Sequence, residues 1–254
     1  TTASNNAAFG RSALEDNTTG TENVAVGAYA LDANTTANEN TAVGYQALTE
    51  CTGAANTAVG RKALLAVTTG ANNAAIGRDA GFAITTGDKN TAIGRSAGNQ
   101  TTTGDNNASL GFNAQHPSAT SSNNVTLGDS NIGALRCNQT SITSLSDGRD
   151  KTDVVDLPIG LDFVNSLRPV KFKWQRREPD ANDGKIRSGF IAQELQEVQK
   201  DSDYLDLVMD DNPDKLEAKQ GNLIPVMVQA IKELSAKNDA LVSEIEQLKS
   251  QLNN

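Results

Sequence analysis

A pair of small or aliphatic residues followed by glycine recurs along the first half of the chain. The unit reads Asn-x-Ala-(Val/Ile/Leu)-Gly, with Gly at 10, 27, 44, 60, 77, 94, 111 and 128. The interval is 17 residues except for one step of 16, from Gly44 to Gly60. Clear copies are NTAVGYQAL (40–48), NTAVGRKAL (56–64), NAAIGRDAG (73–81) and NTAIGRSAG (90–98), separated by turn-forming stretches such as TTGANN and TTGDKN. Eight registers of one motif define a repeat architecture. Two short β-prone pieces are expected to flank each Gly, which permits a bend or a close backbone approach. In Ala42-Val43, Ala58-Val59 and Ala92-Ile93 the adjacent apolar residues must point to opposite faces of a strand. The Ala side suits the inside of a narrow coil. The Val/Ile side is expected to meet a partner subunit, because it would otherwise form a long exposed stripe.

A different period governs the C-terminus. Ile224, Ile231, Asn238, Ile245 and Leu252 step by seven, and so do Met227, Leu234, Leu241 and Leu248. Offset by three, they are the a and d columns of a parallel coiled coil. Ile at a, Leu at d and a buried Asn238 favour two strands by themselves, so a trimer requires the preceding segments to overrule that preference. Between residue 152 and this helix lies a small mixed domain. Pro158 is expected to start a short helix through IGLDFVNSL. Val170, Phe172 and Trp174 alternate with Lys171, Lys173 and Gln175 and predict a half-buried strand with Trp174 inside. REPDANDGK reads as a hairpin loop, GFIA-QELQEV as a strand feeding a helix, and YLDLVM with LEA as a second hairpin across DDNPD.

Composition separates the two halves. Residues 1–145 carry 7 Lys/Arg and 10 Asp/Glu, residues 146–254 carry 15 and 21, and the sole Trp lies in the second part. Aromatics at 4% of the chain argue against one large globular core. A net charge of -9 disfavours nucleic acid and anionic membranes, and no run reaches the roughly 18 apolar residues of a membrane span. Thr1 in place of an initiating Met predicts a fragment of a longer chain. Cys51 and Cys137 lack metal-ligand spacing, so neither a disulfide framework, a metal nor a cofactor is expected. His116, the only histidine, has no Ser–His–Asp companions. The Asn-x-Thr triplets at Asn17, Asn34 and Asn138 are what a chain rich in Asn and Thr produces by chance. No paired carboxylates stand out in the low-charge repeats, which leaves glycan hydrolysis without support.

The segment carrying candidate chemistry is SDGRDK, Ser146 to Lys151. A Ser hydroxyl is a weak nucleophile until a base takes its proton. A lysine serves as that base only when neutral, against a reference pKa of about 10.4. Moving it near 7 needs roughly three units, or ~4 kcal/mol of bias against the charged form. Arg149 pushes the right way, whereas Asp147, Asp150 and Asp153 oppose it if close, so burial must dominate. Extended chain would hold residues 146 and 151 roughly 16–18 Å apart, and Asp147-Gly148 is the turn chemistry that can bring them together. Taken alone, this spacing reads as a solvated polar turn.

The ordered set SDGRDK, LRPVKFKW, GFIAQEL and NLIPVMVQAIKEL resembles the self-cleaving intramolecular chaperone domain of endosialidases and tail fibres (peptidase S seventy-four), over residues 144–250. The repeats are similar to the left-handed β-roll heads of trimeric bacterial adhesins and to repeats preceding chaperone domains in phage tail fibres. The resemblance implies a C-terminal chaperone that trimerises and folds a β-rich shaft and then cuts itself off with a Ser–Lys dyad. It implies Ser146 as nucleophile, Lys151 as base, cleavage at Leu145–Ser146, and Asp147 and Arg149 as supports of the turn. The oxyanion donor is not named by the sequence.

The expected architecture is thus a repetitive all-β shaft (a trimeric β-roll or β-helix) over 1–137, a small α+β chaperone domain over 138–222, and a C-terminal parallel coiled coil over 223–254. The expected partners are two further copies of the chain and a host-surface receptor or glycan, without nucleic acid or membrane. The expected location is a virion fibre or spike, with the chaperone released in the host cytoplasm during assembly. The alternative is a non-cleaving trimeric adhesin stalk.

Overall fold

The computed structural model describes residues 2–136, 138, 144, 146–175 and 184–252. They form two compact units, Thr1–Leu135 and Arg136–Asn254.

The first unit is a β-solenoid in which each repeat contributes one three-residue strand. The strands are β1 (Ala7–Phe9), β2 (Val24–Val26), β3 (Thr41–Val43), β4 (Thr57–Val59), β5 (Ala74–Ile76), β6 (Thr91–Ile93), β7 (Ala108–Leu110) and β8 (Val125–Leu127). They pair in parallel in chain order, each residue facing its counterpart in the next repeat, as Ala25 faces Ala42 and Ala42 faces Ala58. Strand alternation puts the middle residue inside. Ala25, Ala42, Ala58, Ala75 and Ala92 are buried and line the coil with methyl groups.

Only the piece before each Gly is a strand, which corrects the expectation of two. After the Gly, every second residue has positive φ, as at Ser12 and Leu14, Tyr29 and Leu31, and Gln46 and Leu48. Extended backbone is impossible there, yet the segments still stack. Leu31 N–H donates to Ala47 O at 3.0 Å, and Leu48 N–H to Ala63 O at 3.1 Å. The left-handed conformation costs a non-glycine residue about 1–2 kcal/mol. Offsetting it, Leu31, Leu48 and Leu64 point inward and are completely buried. The repeat glycines themselves have no alternative. From Gly10 to Gly94 their φ is +129° to +138°, and an added Cβ would sit 2.5–2.6 Å from a carbonyl oxygen of the next rung.

A column of asparagines, one just before each strand and buried from Asn23 to Asn107, ties the coils together. The Oδ1 of Asn6, Asn23, Asn40, Asn56, Asn73, Asn90 and Asn107 each accepts from the backbone N–H of the next Asn along, at 2.8–3.0 Å. The Nδ2 of the same residues donates at 2.8–2.9 Å to a carbonyl of the turn that follows, as Asn73 does to Gly87 O.

The interior changes character toward the end of the solenoid. Ser109 and Thr126 succeed the Ala column in register. His116 joins them, its Nε2 at 2.8 Å from Ser109 Oγ and its Nδ1 at 3.3 Å from Thr126 Oγ1. Ser109 is fully buried, so this pair closes the coil rather than offering a nucleophile. Cys51 is likewise interior, and burial pushes its thiol up to about 11, which makes it an inert core group. Cys137 lies outside the described residues.

The second unit is small and mixed. Helix α1 (Leu161–Ser166) precedes the antiparallel pair β9 (Val170–Lys173) and β10 (Ile186–Gly189). There follow α2 (Ala192–Gln199), the short hairpin β11 (Val208–Met209) with β12 (Glu217–Ala218), and the long helix α3 (Ile224–Leu252). Its core gathers Leu195, Leu205, Leu207, Val208, Leu223 and Val226, with Phe163 and Phe190 packed against them. Pro158 stands upstream of α1, which starts only after Gly160. Trp174 is a correction. It lies just past β9, is 45% exposed, and packs edge-on against Phe172 at 5.2 Å instead of entering the core. Helix α3 uses two faces. Val226 and Ala230 are buried in its own unit, whereas the described a and d residues Ile224, Met227, Ile231, Leu234, Leu241, Ile245, Leu248 and Leu252 are 50–85% exposed.

Two outcomes test the solenoid. Asn73→Ala removes the acceptor of Asn90 N–H and the donor to Gly87 O, and should destabilise the shaft by about 2–5 kcal/mol in urea unfolding. Burial lowers the pKa of His116, so its neutral form is favoured in the fold. Shaft stability should therefore be full above pH ~6.5 and fall as pH drops through the lower folded pKa. Melting curves between pH 5 and 8 should show that loss, and His116→Gln should abolish it in this window.

Candidate functional site

The SDGRDK segment makes a compact turn. Residues Gly148–Asp150 form one 3-10 turn, with Asp150 N–H donating to Asp147 O at 3.2 Å and Lys151 N–H to Gly148 O at 3.3 Å. Asp147 caps it, its Oδ1 accepting from Arg149 N–H at 2.9 Å. The same carboxylate is gripped by the Arg149 guanidinium, with Nη2 at 2.6 Å from Oδ2 and Nε at 3.1 Å from both oxygens. The Arg149 side-chain bond, followed by its backbone N–H, holds the Asp147 carboxyl below the usual carboxylate range. Asp147 thus neutralises Arg149, the cation closest in sequence to the lysine.

The turn brings the two candidate catalytic groups together. Lys151 Nζ stands 2.7 Å from Ser146 Oγ and 3.4 Å from Ser146 O. Such a contact is nucleophile–base geometry. Both side chains are exposed in the single chain. So are Val154 and Val155, three and four residues beyond the lysine, at 75% and 83%. Leu145, on the other side of the proposed scissile bond, lies outside the described residues. No group of His, Cys, Asp and Glu among the described residues has the arrangement of a metal site. No helix among them is long and apolar enough to cross a membrane.

Two contacts that sequence reasoning missed brace the domain behind the turn. Glu233 on α3 accepts from Leu161 N–H through Oε2 at 2.8 Å and so caps α1 from a distant part of the chain. A side chain at Gly160 would collide with that carboxylate, which accounts for the glycine. Arg168 pairs bidentately with Glu194, joining the segment before β9 to α2. The only sequence signals were an acid in the first turn of α2 and a Gly before α1.

The Ser146–Lys151 turn thus stands at the head of a small α+β unit with a helical tail. Residues 146–204 match the family model described as chaperone of endosialidase, a family named as a peptidase. The match opens on Ser146 itself, covers part of the second unit, and supports a chaperone domain there. No curated protein and no solved structure matches the chain.

The clamp is open to measurement. A carbon-detected titration should place the Asp147 carboxyl below the ordinary ~3.9 in the native chain. With the folded pKa depressed, the clamp contributes above the unfolded pKa and is lost as pH falls through the folded one. In Arg149→Ala the midpoint should return toward the ordinary value.

Proposed function

We propose that the second unit brings three chains together, folds the β-shaft, and then releases itself by cutting at Leu145–Ser146. The observation that carries this reading is the 2.7 Å contact between Ser146 Oγ and Lys151 Nζ at the start of the family match. In the reaction, neutral Lys151 takes the Ser146 Oγ proton as Oγ bonds to the Leu145 carbonyl carbon. The C–N bond to Ser146 breaks, and Lys151 returns the proton to the leaving amine of the same residue. Water then hydrolyses the ester, freeing the Leu145 carboxylate and restoring the Ser146 hydroxyl. Each chain reacts once, as a single-turnover serine peptidase acting on itself.

Assembly supplies what the single chain lacks. A lysine must shed its proton to act as a base, which burial favours, yet Ser146 and Lys151 stand in water here. On this reading, neighbouring copies cover the turn, so cutting reports that folding is complete. Two unmet apolar surfaces support self-association. The shaft column Val26, Val59, Ile76, Ile93, Leu110 and Leu127 is 36–48% exposed, and the heptad seam of α3 is exposed along its length. Each surface repeats at a fixed interval along its own unit, as parallel copies require. The wider reading is a virion fibre or spike in host attachment, its chaperone shed in the host cytoplasm. The shaft would then persist kinetically, its template gone.

Light scattering should give three chains per particle; a monomer at micromolar concentration would defeat the assembly claim, and a dimer would show that the a/d preference of α3 had won. On a denaturing gel, wild type should split while Ser146→Ala and Lys151→Ala stay full length as folded trimers. Lys151→Arg should be equally inactive, because guanidinium stays charged. Asp147→Asn, which keeps the capping oxygen, should slow cutting less than any of these. Identical full-length bands from wild type and Ser146→Ala, after long incubation of confirmed trimers, would leave a passive trimerisation domain.

A further inference from the structure

Five of the seven Lys and Arg residues in 1–145 fall on two adjacent columns that directly follow the repeat glycines: Arg11, Arg61, Lys62, Arg78 and Arg95. The first column presents Arg11, Tyr45, Arg61, Arg78, Arg95 and Phe112, all exposed. Arg61, Arg78 and Arg95 occupy consecutive rungs, roughly 4.8 Å apart at the backbone. Rings and guanidinium groups order one another along the line. Arg11 lies 5.3 Å from the Tyr29 ring, Tyr29 and Tyr45 meet edge to face at 6.2 Å, and Arg95 lies 5.5 Å from the Phe112 ring. Asp79, the one acid on these columns between residues 11 and 113, bonds Arg78 at 2.7 Å and Arg61 at 3.6 Å and fixes both. A solvated face of a chain with net charge -9 would not concentrate its cations on one line.

We propose that this ladder binds an acidic polysaccharide laid along the shaft, with carboxylates on Arg61, Arg78 and Arg95 and sugar rings against Tyr45 and Phe112. Arginine forks suit carboxylates, and flat exposed rings suit the apolar faces of sugars. Nucleic acid fits poorly: a duplex carries one charge per ~1.7 Å of axis, more than one cation per rung of roughly 4.8 Å can meet, and the 10 acids against 7 bases in residues 1–145 repel the excess. A second copy of the chain fits poorly as well. A closed symmetric assembly keeps equal rungs at equal height. Residues 54–87, which carry Arg61 and Arg78, hold no acid but Asp79, already paired to both, so an equal-height copy offers these rungs no free carboxylate.

The proposal rests on the attachment part of the proposed function and is independent of self-cleavage. The test is calorimetry of the purified full chain with polygalacturonate, neutral dextran, polyglutamate and a single-stranded oligonucleotide. Polygalacturonate should bind, more weakly as salt rises, and dextran should not. Arg61→Ser/Arg78→Ser/Arg95→Ser should weaken binding by at least about tenfold, with melting curve and particle mass unchanged. Tyr45→Ala/Phe112→Ala should weaken polygalacturonate but leave any polyglutamate binding alone. No binding of polygalacturonate at millimolar uronate would overturn the proposal. Equal binding of polyglutamate or the oligonucleotide would overturn the sugar assignment, and loss of particle mass in the Arg variant would reassign the ladder to a subunit contact.

Discussion

The buried asparagine amide holds the shaft in register. A strand of three residues makes too few ladder bonds to define a coil, and most of each repeat is not strand at all. Each Asn meets that shortage by accepting from the rung after it and donating to its own following turn, so two neighbouring coils are fixed by one side chain. Its cost if broken is high, because the N–H and C=O it serves are out of reach of water. Everything outside follows from the alignment it enforces. The Ala column stays inside, the aliphatic column stays outside, and the residue after each glycine falls on a single line down the surface.

The second unit solves the opposite problem. Apart from α3 its elements are short, and they are joined through side chains that reach far along the sequence. Glu233 ties the root of α3 to the start of α1, and Arg168 ties the approach to β9 onto α2. Helix α3 thereby belongs to its own core at Val226 and Ala230 while turning the heptad seam outward. On the proposed reading, these unmet surfaces and the unburied Ser146–Lys151 pair are one fact seen twice: the single chain is the unfinished state.

Much of this was legible in the residues. The 17-residue period and the small inner Ala pointed to the solenoid, and the apolar spacing near the C-terminus pointed to the long helix. The turn at Asp147-Gly148 was legible for the same reason, since few residue pairs reverse a chain so tightly. The rest was hidden because it depends on neighbours distant in sequence. The alternating positive φ after each glycine is carried in several repeats by Leu, Tyr, Gln or Lys, residues with no propensity for it, and bonds to adjacent coils brace it. Trp174 was misread because period-2 alternation identifies a strand face but not where the strand stops. The Asn column stood in plain view in the motif, yet an Asn before a strand reads as turn chemistry until its partner 17 residues away is known.

The single short repeat shows what this design tolerates. From Asn34 to Ala37 the turn takes three steps, but the equivalent Cys51 to Gly53 takes two. Both Ala37 O and Gly53 O nonetheless receive their ladder amide, from Asn23 and Asn40. The missing residue is absorbed at the corner, and strand pairing continues from Thr41 to Thr57 without a slip. Coil perimeter and axial rise are therefore separate variables. Gain or loss of a whole unit changes the height of the shaft by one step of roughly 4.8 Å and leaves its cross-section alone. Length in such a molecule is digital: it is counted in units, like marks on a ruler, and a blurred mark does not alter the count.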